Sequence, residues 1–404
     1  MNTSRFDAWI HGSFRASGQG LAFYRIVFAA FTLLVIAPGH DLYTDLHGFA
    51  SLPSSMFVPP PGPMMLFGGF PSVLTAEVLL GALNVCLVAV LFGYRTRLFS
   101  IGTGLLLLTI FGFSYSAGKI NHNFLFILVP IVMAFSNWGE AYSYDARFRS
   151  GASPAAESWP LTLLVLLLGF AMFTAGFAKI LGGWLDPETQ AAYGHVVKHY
   201  VVRGRTDLLA PLAFRMDNGV FWEVQDYATV LFETGFLAAV AYPRLARTFA
   251  GLAVLFHFGV MLTMNIAFAF NLVVYAAFVD WDGIHRVFRR QWPRIPSLPA
   301  SRALTICVLL FTGLIFYRIG SPLMLVEGVF PLNSDLLLRE VLAVSAAVVL
   351  VVGSAVRLFA SSVAGAIARR TRQSISSNAQ RSTIGTRGVG DAGGLRAPGS
   401  NPPR

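Results

Sequence analysis

Charge is scarce in this sequence. Only 12% of its 404 residues are Asp, Glu, Lys or Arg, about half the share of an ordinary soluble domain, so a water-soluble globule with a charged shell is excluded. Cysteine is nearly absent. Cys86 and Cys307 both lie in apolar runs with no CxxC or Cys/His spacing, which excludes a disulfide framework and a zinc centre and leaves them as core residues. The chain also lacks GxSxG, HExxH, a Walker A loop and a dinucleotide fingerprint in a usable context, so familiar soluble-enzyme chemistry has no foothold. The alternating apolar pattern of barrel strands is missing too.

What the sequence has is apolar length. Hydrophobic residues make up 55% of the chain and the mean hydropathy is +0.62. Runs near 20 residues, each able to cross about 30 Å of hydrocarbon as a helix, recur along most of the chain. The pattern predicts an all-α, polytopic transmembrane helical bundle of eight to ten spans, placed near 21–38, 73–93, 98–116, 121–137, 160–181, 227–242, 247–266, 268–281, 303–320 and 338–360. The fourth and eighth are short, which suits tilted, re-entrant or buried segments. Residues 1–20 are polar and no small-residue cleavage site follows the first run, so that run reads as a retained span.

The net charge of +10 follows sidedness better than it follows nucleic acid, and no nucleic-acid partner is expected. With the N-terminus inside, the first outer loop, 40–71, holds no Lys or Arg, whereas Arg95 and Arg97, Arg147 and Arg149, Arg244 and Arg247, Arg286, Arg289, Arg290 and Arg294, and Arg369, Arg370 and Arg372 all fall on the inner side. The expectation is a multi-pass protein of the cell membrane with both termini cytoplasmic. One long outer segment breaks the rule: 182–226 carries Lys198, Arg203, Arg205 and Arg215. Lys119, Arg318 and Arg339 are isolated outer charges. The stretch AAYGHVVKHYVVRGR within the long segment predicts a short amphipathic helix on the membrane surface, in position to act as a lid. The Pro-, Phe- and Gly-rich stretch 39–72 predicts an ordered, irregular cap, and the Ser-, Gly-, Arg- and Pro-rich tail from Gln373 predicts disorder.

Polar groups at membrane depth cost about 2.5–3.5 kcal/mol each when charged, so each needs a partner, water or a task. Lys179 ends an apolar run in FTAGFAKILGGWL. One reading is a helix-end anchor whose amine snorkels to the interface. The other is a functional amine: Thr174, Ala175, Gly176 and Ala178 leave the preceding turn lean enough for a second helix to approach and strip water from the ammonium. His122, in KINHNF beside Asn121 and Asn123, reaches the same membrane edge, either as part of a polar cap or as an imidazole that relays a proton or holds an oxyanion. Glu233 and His257 lie in consecutive antiparallel spans and can pair. Arg25, in LAFYRIVFA, sits near the cytoplasmic end of the first span, where it snorkels or pairs. Asp280 reads as a helix-end residue. His195 and His199 have i, i+4 spacing, but Lys198 lies between them and further ligands are lacking, so no metal is expected.

Taken in order, these stretches resemble the transmembrane domain of the vitamin K-dependent γ-carboxylase superfamily, the HTTM (horizontally transferred transmembrane) group. GLAFYRIVFAAFTLL is similar to its opening span, INHNFLFILVPIVMAFSNWGEAYSYDA to its Asn-His span and following loop, and FTAGFAKILGGWL to its Ala-Gly-x-x-Lys…Trp segment. FETGFLAAV and FHFGVMLTMNIAFAFNLVVYAAFVDW resemble its Glu- and His-bearing spans. The likeness covers roughly 15–285. It implies an organisation of 1–20 as a cytoplasmic N-terminus, 21–285 as the HTTM domain, 286–362 as additional helices and 363–404 as a cytoplasmic tail.

In the carboxylases the matching lysine is the base that deprotonates vitamin K hydroquinone, and oxygenation then yields a stronger base that removes a γ-proton from a glutamyl side chain for trapping by carbon dioxide. The resemblance therefore implies Lys179 as base and His122 in the same site, with Asn121, Glu233, His257, Arg25 and Trp184 as supporting polar or aromatic groups. It implies a reduced quinone, such as vitamin K hydroquinone or menaquinol, as cofactor, no metal, and a peptide or small molecule as substrate. The carboxylases carry a large β-rich domain after the membrane part, whereas here two further spans and the tail follow. The alternative is a non-enzymatic, quinone- or lipid-binding subunit, resembling the small DoxX-like proteins, that assists a redox or secretion partner. A transporter fits less well, because no inverted repeat is visible.

Overall fold

The computed structural model describes residues 5–36, 45–118, 123–149, 155–291 and 341–353, with isolated positions at 356 and 360. Met1–Ala355 form one compact unit and Val356–Arg404 a second, and every helix discussed below belongs to the first. Among the described residues all regular structure is helical, as the long apolar runs require once their backbone groups must be satisfied locally. Cys307, the expected 303–320 span and the 373–404 tail lie outside the described residues.

Among the described residues five helices are long and apolar enough to cross a bilayer. These are α1 (Gly18–Phe31, prolonged to Ile36 by a π-helical turn), α2 (Val73–Phe92), α3 (Thr96–Ser114), α5 (Trp159–Leu181) and α8 (Pro243–Met264), and between them lie α4 (Phe124–Met133), α6 (Ala191–Val197) and α7 (Gly219–Val240). Two more follow, α9 (Ala269–Tyr275) and α10 (Trp281–Gln291). The ends obey local chemistry. Ser72 caps α2 by accepting from the Thr75 amide at 3.1 Å, and Gly93 closes it in the left-handed region, where a side chain would be strained. Asp145 caps α3, accepting from the backbone N–H groups of Arg95 and Thr96 at 2.7 Å each.

Among the described residues five of the expected runs appear as membrane-length helices; the 303–320 run lies outside them, and the other four differ for visible reasons. The 227–242 run belongs to α7, which is 22 residues long but carries Glu223, Asp226 and Glu233. The fourth and eighth runs yield α4 and α9, too short to span. They pack on each other, with Phe126 and Phe270 centroids 5.5 Å apart, and residues 269–279 are buried throughout. Interrupted helices at this depth survive only when protein surrounds them. Of the tenth run, Val341–Gly353 is described and is helical, with neighbouring residues on both sides outside the described set.

Around this interior α1 packs on α2 and α10, α3 on α2 and α4, and α5 on α4 and α7. The core is aromatic: Tyr24, Phe28, Phe126, Trp138 and Phe236 are fully buried. Their polar atoms are satisfied, Tyr24 Oη donating to the Val273 carbonyl at 2.6 Å and Trp138 Nε1 to Ser100 Oγ at 3.1 Å. Within 45–72, Phe70 stacks on Phe49 and meets Phe57 edge to face, which gives that stretch the ordered, irregular character expected of it.

Candidate functional site

The seam between α5 and α7 builds the site. Gly169 and Gly176 lie seven residues apart on α5 and therefore share one face. A Cβ on Gly169 would come within 2.6 Å of Val240 Cγ2, and one on Gly176 within 2.9 Å of Glu233 Cβ and of the Thr234 amide nitrogen. The two helices run antiparallel at backbone contact, which only small residues allow. Side chains on a helix lean toward its N-terminus, so Lys179 leans back along α5 toward Gly176, where Glu233 waits.

The result is an inter-helix ion pair. Lys179 Nζ donates to Glu233 Oε2 at 2.5 Å, and the two side chains are only 22% and 6% exposed. Trp184, just past the end of α5, sets its indole 5.2 Å from Nζ, close enough for a cation–π contact. Lys179 is therefore turned into the helix seam and held there, and does not reach away from it as a snorkelling anchor would. The lean turn noted in the sequence is the cause of the pairing: Gly176 makes room for the carboxylate-bearing side chain.

His257 lies deeper. It is buried on α8, its Nδ1 hydrogen-bonded to Tyr275 Oη at 3.1 Å and its ring stacked on Phe268 at 4.5 Å. Tyr275 is thus the hydrogen-bonding partner of the histidine, a pairing that sequence reading missed because a tyrosine in an aromatic run looks like packing.

Arg25 belongs to the other end of the bundle. Its neighbourhood, the loop around Trp138, connects to the start of α5 through the Glu157 amide on the Ser136 carbonyl at 3.1 Å, whereas Lys179 lies near the far end of that 23-residue helix. The guanidinium is fully buried. It donates to the carbonyls of Trp138, Ala141 and Tyr142 at 2.9, 3.4 and 2.6 Å, so it fastens a loop and does not snorkel. Asp280 caps α10, accepting from the Gly283 amide at 2.9 Å. His122 and Asn121 lie outside the described residues.

The segment after α5 folds over the same end as Lys179. The predicted amphipathic helix is α6, followed by a π-helical turn, Lys198–Val202. Asp226 of α7 caps α6 by accepting from the amides of Ala191 and Ala192 at 2.7 Å each. Ala192 and Val196 pack with Ala213 and Trp222 into a small core of their own. His195 sits over Trp184 with ring centroids 5.5 Å apart, which places this segment next to the lysine's aromatic neighbour.

His199 is crowded by burial first and then by Arg205, His195, Lys198 and Arg203, which together push it down to about 4 from the ordinary 6.5. Among the described residues no group of three metal-capable side chains gathers here or elsewhere. The depressed histidine gives a pH prediction with a definite sign. Above pH 6.5 it is neutral whether folded or unfolded and costs nothing, and between 6.5 and 4 the unfolded chain takes up the proton first, so stability falls as pH drops. Thermal unfolding midpoints from pH 8 to pH 4 should fall less steeply in His199→Asn than in the parent protein, and parallel curves would refute the assignment.

Comparison with protein-family models, with curated proteins and with solved structures gave no match.

Proposed function

We propose that this protein is an integral membrane protein of the HTTM, vitamin K-dependent carboxylase-like group in which Lys179 and Glu233 together accept a proton from a lipid-borne acid at the outer rim of the cell membrane. Both termini then face the cytoplasm, as the loop charges indicate. The observation that supports this most is the 2.5 Å Nζ–Oε2 contact in a half-dry seam. Glu233 can take a proton from Nζ, leaving a neutral amine and a neutral carboxyl side by side. The amine lone pair then accepts a proton from an incoming O–H group and becomes ammonium again, so the pair has gained one proton. The net result is one proton moved from the O–H group to the pair, held as the Glu233 carboxyl, with the Lys179 ammonium left beside the new oxyanion to balance its charge.

The residues present fit a reduced quinone. Trp184 offers a flat face beside Nζ, and Phe177, Ile180 and Leu181 are exposed on the same end of α5, a surface suited to an apolar ring and its tail. When bound, such a group supplies the acidic O–H and two reducing equivalents. The role of this chain is to hold it at membrane depth and take its proton at Lys179 Nζ, with His122 expected in the same site and the substrate, a peptide or small molecule, arriving from the aqueous side.

A second reading rests on the same contact. A closed ion pair satisfies both charges without chemistry, and the protein is then a quinone- or lipid-binding subunit, DoxX-like in role. Lys179→Arg separates the two. Arginine keeps the charge and the partner but does not give up its proton, so the variant should fold normally yet lose at least about 100-fold in consumption of added hydroquinone by membranes, the scale of a missing general base. Undiminished consumption in the arginine variant contradicts the base role.

A further inference from the structure

The four cations that break the loop-charge rule, Lys198, Arg203, Arg205 and Arg215, have no part in the proton-handling site. Their placement gives them another. The chain turns sharply after α6: the Arg203 amide bonds to the Lys198 carbonyl at 3.3 Å and the Arg205 amide to the His199 carbonyl at 3.1 Å, with Gly204 between them in the left-handed region that glycine favours. Three cations are thereby gathered about one turn. Lys198 and Arg203 are exposed, and between them Val201 and Val202 stand 61% and 73% exposed.

Hydrogen bonds tie this turn to the end of a membrane-length helix. The Leu209 amide donates to the Leu262 carbonyl at 2.9 Å, Arg205 Nη1 to the Asn265 carbonyl at 3.1 Å and the Asp207 amide to Asn265 Oδ1 at 2.9 Å. Leu262 and Asn265 mark the end of α8, a 22-residue apolar helix of about 33 Å, the length of the hydrocarbon core. The turn therefore lies where hydrocarbon gives way to headgroups. Exposed valines beside exposed cations at that level suit one amphiphile: apolar above the chain's own apolar surface and anionic at its head.

We propose that the turn from Lys198 to Arg205 binds the headgroup of an anionic phospholipid, with Lys198 and Arg203 on the phosphate and Val201 and Val202 against the upper acyl carbons. Exposed Leu208, Leu209 and Leu212 extend the apolar side. This explains why basic residues are kept on the face that loop charges otherwise leave nearly empty of them.

The test uses the full-length protein purified in neutral detergent, titrated with phosphatidylglycerol while thermal unfolding is followed. Phosphatidylglycerol should raise the midpoint of the parent protein, and phosphatidylcholine or inorganic phosphate at equal concentration should not. Lys198→Gln/Arg203→Gln should need roughly tenfold more phosphatidylglycerol for the same shift, with an unchanged midpoint in its absence, because both side chains are exposed. Arg289→Gln/Arg290→Gln, on α10, should titrate like the parent. Val201→Ser/Val202→Ser should also weaken the response. An unaltered response in the lysine–arginine variant, an equal loss in the α10 variant, or a response reproduced by inorganic phosphate or phosphatidylcholine would each overturn the proposal.

Discussion

Lys179→Met should destabilise the folded protein by about 3–5 kcal/mol, the cost of leaving a buried carboxylate without its partner, while Lys179→Met/Glu233→Met should return to within about 1 kcal/mol of the parent, since an apolar pair of similar volume replaces an ion pair at little net cost. The expectation follows from the 2.5 Å contact and from Glu233 being only 6% exposed. A snorkelling lysine predicts a different pattern. Removing a free ammonium from the end of an apolar helix would be neutral or stabilising on insertion scales, and the second substitution would add nothing. Denaturant or thermal unfolding of the three proteins in one detergent decides between them, and an Lys179→Met variant as stable as the parent sinks the ion-pair account.

Gly176→Val is the second large effect. Its Cβ would lie 2.9 Å from the Thr234 backbone nitrogen, an atom that no rotamer change can move, so α5 and α7 must separate. Overpacking of this kind costs about 1–3 kcal/mol, and here the helices that separate also carry Lys179 and Glu233, so the loss should reach the upper end and take the ion pair with it. Gly194→Ala is the matched control. A Cβ there meets nothing within 4 Å and the position is helical, so the substitution should stabilise by up to about 1 kcal/mol. Unfolding midpoints that fail to separate the two variants would show that the seam is looser than its geometry.

The contrast between those glycines shows how far the sequence could be read. The apolar run at 73–93 became Val73–Phe92 nearly to the residue, because a serine cap and a left-handed glycine end it locally. The lean turn before Lys179 was legible as a place of close approach, since small residues at helical spacing have few other uses. Which helix would approach was not legible. Consecutive antiparallel spans showed that Glu233 and His257 can pair, but not that the Glu233 carboxylate would bond Lys179 across the α5–α7 seam or that His257 Nδ1 would bond Tyr275. Partner choice depends on helix rotation, which periodicity alone leaves free. Asp145 and Asp226 were passed over for a related reason. Each caps a helix distant in sequence, α3 from 49 residues away and α6 from 34, and a capping motif is readable only when cap and helix adjoin.

The central claim is that Lys179 and Glu233 act as one proton-accepting unit, and its most direct test is spectroscopic. Infrared difference spectra of the protein in nanodiscs, recorded as a menaquinol is added without oxygen, should show a new protonated-carboxyl band that disappears in Glu233→Gln and in Lys179→Met. If a menaquinol binds while the Glu233 carboxylate signal stays unchanged, the pair is a structural lock and the proton-handling account is wrong.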